Sequence, residues 1–152
     1  MTQHESMMLL ALEEAKQAAS EGEVPVGAVI TRDGEIIATA HNRREADGDP
    51  TAHAEVLAIR AAAKKLGRRR LNDCTLYVTL EPCPMCAGAM VMACIGTCYF
   101  GASDERQGCT GSVLHIPQDP AFYHHIPCIG GLLEESCAAL MNDFFQQKRT
   151  NL

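Results

Sequence analysis

His53-Ala54-Glu55 and, thirty positions on, Pro82-Cys83-Pro84-Met85-Cys86 are the stretches whose reading decides the rest. One His and two Cys offer three ligands to a zinc ion and leave a fourth position open for water. Glu55, two residues past the His, is placed to move protons on and off that water. Each half also reads as a helix start. Asp49-Pro50-Thr51 looks like an N-cap followed by proline at the first helical position. His53 and Glu55 are therefore expected in the first turns of a helix over 50–66, ended by Gly67. Cys83 and Cys86 follow a strand-like run at 75–80 and precede the helix-like Ala87-Gly88-Ala89-Met90-Val91-Met92. Their i,i+3 spacing puts both sulfurs on one face of a helix start, where the macrodipole also favours thiolate.

The two halves carry unequal weight. With six histidines in the chain, a His-x-Glu arises by chance roughly half the time. Pro-Cys-x-x-Cys is far rarer, at about 0.02 chance occurrences for this composition. Two plainer readings stay open at this point. Cys83 and Cys86 could form a redox pair, or the zinc could be structural, with His41 or another Cys as fourth protein ligand.

At 152 residues and 47% hydrophobic content, the chain fits one domain over 1–152 with a real core. No apolar run approaches the ~20 residues of a membrane span, so no membrane partner is expected. Met7-Met8-Leu9-Leu10-Ala11-Leu12 is followed at once by Glu13, Glu14 and Lys16. That pattern predicts an amphipathic helix over 5–20 with Met8, Leu12, Ala15 and Ala19 on one stripe, not a signal peptide. Eight cysteines without a secretion signal point to a reducing, cytoplasmic setting. Cys74, Cys94, Cys98, Cys109, Cys128 and Cys137 are then free and mostly buried thiols.

Asp33-Gly34 between apolar runs at 24–30 and 35–40 is a hairpin signal. Strands at 75–80 and 97–102 flank a helix and so form a parallel crossover. A short strand near 126–129 and a helix over 133–147 complete the order. The expected result is a mixed sheet with helices on both faces, and a metal site where two helix N-termini converge beside strand ends.

His-x-Glu followed by Pro-Cys-x-x-Cys matches the signature of zinc-dependent nucleobase deaminases. The flanking words are more specific: Glu23-Val24-Pro25-Val26-Gly27-Ala28-Val29, Asn42-Arg43, Asp49-Pro50-Thr51-Ala52-His53-Ala54-Glu55 and Thr79-Leu80-Glu81-Pro82-Cys83-Pro84-Met85-Cys86-Ala87-Gly88-Ala89. Phe100-Gly101-Ala102, Asp104, Gly108, Gly111-Ser112 and Asp143-Phe144-Phe145 continue them. On these the chain resembles the bacterial tRNA-specific adenosine deaminases of the cytidine-deaminase-like superfamily. The resemblance implies a three-layer α/β/α fold with a mixed five-stranded central sheet, one Zn²⁺ per subunit and a homodimer. It implies action on the wobble adenosine of a tRNA anticodon stem-loop, giving inosine. It also implies that Asn42, Val24, Asp104 and the backbone N–H of Ala54 contact the substrate.

Some positions depart from the family's pattern. Cys94 stands where an Arg is usual, Ser103 replaces the Arg of Gly-Ala-Arg-Asp, and Tyr123-His124-His125 replaces Asn-His-Arg. These changes remove charge or alter polar groups near RNA-facing surfaces, and the net charge is −6. The available cations are Lys64, Lys65, Arg68, Arg69 and Arg70, with Arg43, Arg44, Lys148 and Arg149 elsewhere. The helix-end cluster is equally well read as solvated cations suited to the helix dipole. Phe144-Phe145 and Met85, Met90 and Met92 read as packing, and His124-His125 as a loop pair.

The chemistry expected is hydrolytic, with zinc held by His53, Cys83 and Cys86. Two thiolates cancel the formal charge of the ion, so it should acidify water less than a three-His site does. That makes a base necessary, and Glu55 is the residue for it. A deaminase of free guanine, cytosine or cytidine is the alternative that the acidity favours. A zinc-stabilised binding module is a third, which the acid beside the ligand set opposes.

Overall fold

Asp33 and Gly34 turn the first hairpin with φ of 51° and 79°, the two positive values that a tight primed turn requires. A computed structural model of the chain describes residues 1–150. The hairpin joins β1 (Gly27–Arg32) to β2 (Glu35–His41), preceded by α1 (Gln3–Ser20). A short helix α2 (Arg44–Asp47) leads to α3 (Ala54–Leu66), β3 (Cys74–Leu80), α4 (Pro84–Ala93) and β4 (Thr97–Ala102). After a 3-10 turn at Ile116–Gln118 come β5 (Cys128–Ile129) and α5 (Glu134–Thr150).

The sheet runs β2-β1-β3-β4-β5. The pairs on either side of β1 are antiparallel; β3–β4 and β4–β5 are parallel, as the α4 crossover demands. Strand alternation sorts the side chains into two cores. Ala28, Ile30, Leu76, Val78, Cys98 and Phe100 face Ala54, Ala58 and Ala62 of α3 and Met90 and Ala93 of α4. Val29 and Tyr77 face Met8, Ala11 and Leu12 of α1 and Cys137 of α5. This is the three-layer mixed five-stranded arrangement expected. Fully burying side chains such as Met8 and Leu76 contributes about 1.5–3 kcal/mol each. Among the described residues, no helix is long and apolar enough to cross a membrane.

Several boundaries differ from expectation. The buried stripe of α1 is Met8, Ala11, Leu12, Ala15 and Ala18 rather than one ending at Ala19. β1 starts at Gly27 because Val24–Val26 bend sharply, the Val26 N–H donating to Val24 O at 2.9 Å. α3 starts at Ala54, not Pro50. Asp49 Oδ1 accepts from the N–H and hydroxyl of Thr51 at 2.8 and 2.7 Å, a local turn that uses the cap residue before any helix begins. His53 becomes the N-cap in extended conformation. Met92 is 74% exposed and Phe145 40%, so neither is core, whereas Met90 and Phe144 are buried. Cys94 caps α4 in the left-handed region at φ 57°, a place glycine usually takes.

His41 clasps α1 to β2. Its Nδ1 lies 2.7 Å from Glu14 and its Nε2 3.0 Å from Glu21. Burial alone would lower its pKa, but the two carboxylates raise it more. The folded state therefore holds this proton more tightly than the unfolded chain does. The stabilisation is complete below the ordinary histidine value of about 6.5 and is lost as pH rises through the raised value. Urea midpoints should fall with pH across that window, and His41→Gln should flatten this dependence. An unchanged slope in the variant would remove His41 from the account.

Candidate metal centre and substrate cavity

α3 and α4 each present at the N-cap a side chain of a type that can ligate a metal. His53 caps α3 and Cys83 caps α4, with Pro84 next and Cys86 one turn in. His53 Nδ1 lies 3.6 Å from Cys83 Sγ and 3.5 Å from Cys86 Sγ. A tetrahedral zinc with Zn–S of about 2.3 Å and Zn–N of about 2.1 Å has N···S edges of about 3.6 Å. The donor set thus fits zinc in both chemistry and spacing. Among the described residues this is the one cluster of three such donors. His41, considered above as a fourth ligand, is instead held between Glu14 and Glu21.

The thiols divide one proton. The Cys86 thiol, with His53 beside it, pulls Cys83 down to about 4 against the effect of burial. Cys86 keeps the proton and is pushed far up by the Cys83 thiolate and by burial. A metal ion replaces that proton when it binds. Glu55 is 4% exposed in the first turn of α3, and burial pushes its carboxyl up to about 7, with the Cys83 charge adding to this.

His53, Glu55 and Cys83 line one cavity of about 80 Å³ with Val24, Val26, Asn42, Arg44, Ala54, Leu80, Glu81, Asp104 and Gln107. Asn42, Val24, Ala54 and Asp104, brought together from four segments, are all in its wall. The Asn42 amide is held on both sides: Nδ2 donates to Val24 O at 3.3 Å and Oδ1 accepts from Arg44 N–H at 3.2 Å. Ala54 N–H is the first of the α3 donors that lack an intrahelical partner. Asp104 Oδ1 accepts from Arg106 and Gln107 N–H groups at 3.0 and 3.4 Å, which shapes the loop after β4.

Two buried carboxylates missed in the sequence brace these walls. Glu23 accepts from Glu45 and Ala46 N–H groups at 3.1 and 2.8 Å, fixing α2. Glu81 accepts from the N–H groups of Asp104, Thr110 and Ser112 and from the Ser112 hydroxyl. A Cβ on Gly108 would stand 2.5 Å from both Glu81 Oε1 and the Asp104 carbonyl oxygen, so only glycine permits that approach. The one signal in the sequence was an acid at each junction of an apolar run and a proline-containing turn. Arg44, grouped above with the cations outside the helix-end cluster, and Gln107 also line the cavity.

Comparison with known proteins identifies the family. The family described as the cytidine and deoxycytidylate deaminase zinc-binding region matches residues 1–102. The tRNA-specific adenosine deaminase of Bacillus subtilis is 49% identical over 149 residues, 98% of this chain and 92% of the relative. A structure from a study of A-to-I editing by tRNA:A34 deaminases at the wobble position superposes with a TM-score of 0.86 at 43% identity, covering 89% of this chain and 98% of that one. The guanine deaminase of Bacillus subtilis superposes with a TM-score of 0.64 at 45% identity, covering 68% of this chain and 66% of that one. The chain belongs to the cytidine and deoxycytidylate deaminase zinc-binding family and, within it, to the tRNA-specific adenosine deaminases.

Proposed function

We propose that this chain hydrolyses adenosine to inosine at the wobble position of a tRNA anticodon, with release of ammonia. One zinc-dependent domain spanning 1–152 performs the reaction, with the anticodon stem-loop as its macromolecular partner. The extent of the likeness carries this reading. At 49% identity it runs through 98% of this chain for the tRNA-specific adenosine deaminase of Bacillus subtilis.

His53, Cys83 and Cys86 hold the metal, one ion per subunit. Zinc supplies Lewis acidity, making water a competent nucleophile near neutral pH. Glu55 takes one water proton and delivers it to purine N1 as the hydroxide adds to C6, then carries the proton of that C6 hydroxyl to the departing amine as the carbonyl forms and ammonia leaves. Asn42 and the Ala54 N–H orient the base, Val24 packs on it, and Asp104 forms the opposite wall. None of the eight cysteines is in a disulfide, which suits a reducing cytoplasm.

The assembly proposed is a homodimer through α4. Its outward face carries Gly88, where a Cβ would meet nothing within 4 Å, and the exposed Met92. Val113 and Leu114 are exposed as well, at 50% and 58%. Light scattering at micromolar concentration should give about twice the 16.4 kDa chain mass. A mass equal to one chain would contradict the dimer.

Lys64, Lys65, Arg69 and Arg70 are exposed, while Arg68 pairs with Asp73 at 2.6 Å. The 13 residues of α3 put this cluster roughly 20 Å from the metal ligands, at stem distance rather than base distance. Stem-loop binding should weaken steeply with salt, each phosphate contact adding about −0.7 to −0.9 to the log–log slope. Lys64→Glu and Arg69→Glu should raise KM for RNA without loss of zinc. The net charge of −6 favours a second reading, deamination of a free base or nucleoside. That reading predicts indifference to both salt and these substitutions.

A further inference from the structure

Arg44 is the one Lys or Arg among the residues lining the cavity. Its Nε is buried and finds no hydrogen-bond acceptor among the described residues. No ion pair among the described residues includes it, although Glu55, Glu81 and Asp104 line the same cavity. Its neighbour Arg43 behaves differently, pairing with Asp47 at 3.1 Å. A buried donor left unpaired is destabilising, so its retention asks for an acceptor that the chain does not supply.

The position of Arg44 is braced from three sides. Glu23, 2% exposed, holds the N–H groups of Glu45 and Ala46. The Arg44 N–H donates to Asn42 Oδ1, and Gly48 closes the turn in the left-handed region. Arg44 therefore stands two residues from Asn42, with both side chains in the cavity wall.

A guanidinium fork suits an oxyanion, and it binds phosphate oxygens through short charge-assisted bonds. Neither adenine nor ribose carries a negative charge; the phosphodiester does. At about 80 Å³ the cavity is far smaller than the several hundred Å³ of a pocket that encloses a whole ligand. A cavity of this size suits a base alone, with the sugar-phosphate backbone outside it.

We propose that Arg44 binds a backbone phosphate flanking the target adenosine, and so makes the site select adenosine carried in a strand. This rests on the tRNA reading above. The contact would supply at the cavity itself a phosphate interaction that the cluster at the far end of α3 cannot.

The test is a methylphosphonate scan. Anticodon stem-loops carrying a single neutral methylphosphonate at each loop phosphate in turn are assayed for inosine formation with wild-type protein, Arg44→Ala and Arg44→Lys. In the wild type, one position beside the adenosine should raise KM about tenfold, the scale of one charge-assisted bond. Arg44→Ala should raise KM on unmodified RNA by a similar factor and show no further loss at that position. Arg44→Lys should recover part of the loss, and all three proteins should retain zinc. If Arg44→Ala leaves KM within twofold of wild type, or if the penalties simply add, the contact does not exist. Inorganic phosphate is the other source of such an oxyanion. Inhibition by phosphate that depends on Arg44, together with a flat scan, assigns the site to the free ion and overturns the strand contact. Wild-type protein inert on unmodified stem-loop refutes the functional reading instead, and this contact with it.

Discussion

Glu55→Gln should retain zinc and fold while slowing inosine formation by about 10³- to 10⁴-fold. Glutamine matches the carboxylate in shape, so the packing of a residue that is 4% exposed survives. What it loses is the ability to accept a proton and give it back. The reaction needs that ability more than once: at the attacking water, at N1, and at the leaving amine. The position suits the task, since burial pushes the carboxyl up to about 7, where it exchanges protons readily near neutral pH. Single-turnover rates on a stem-loop, with zinc measured on the same sample, decide the matter. A variant keeping a tenth of wild-type turnover would take Glu55 out of the proton path.

Cys83→Ala and Cys86→Ala should each lose zinc and activity together. The proposed ligand set has three donors among the described residues, and removing one leaves two for an ion that prefers four-coordination. The buried Cys86 variant should also melt lower, because the energy of metal binding contributes to the folded state. The protonation of the pair adds a pH signature. In the metal-free protein Cys86 holds a proton that zinc must displace. Apparent zinc affinity should therefore rise between pH 6 and pH 8 in competition with a chromophoric chelator. Full zinc with retained activity in either variant would show that the ligands lie elsewhere.

Much of the scaffold was legible because its signals are local. Asp33-Gly34 specifies the hairpin, the apolar run at 97–102 matches β4 to the residue, and Cys-x-x-Cys after a strand places α4. The start of α3 was not, since Asp49 can either cap a helix or close a turn onto Thr51, and only the structure shows which. The braces were hidden for a different reason. Glu23 takes its N–H partners 22 and 23 residues away, and Glu81 takes its own 23 to 31 residues away. A carboxylate in sequence reads as surface until the fold brings donors to it. Arg44 was illegible in the same sense, because its lack of a partner is a property of the cavity and not of its neighbours in the chain.

The most direct test of the central claim is ammonia release under one set of conditions from an anticodon stem-loop carrying the wobble adenosine, and from free adenosine, guanine, cytosine and cytidine. Turnover of the stem-loop with inosine at that position, and none of the free compounds matching it, is the predicted result. Robust deamination of guanine or cytosine, with the RNA left untouched, would contradict it.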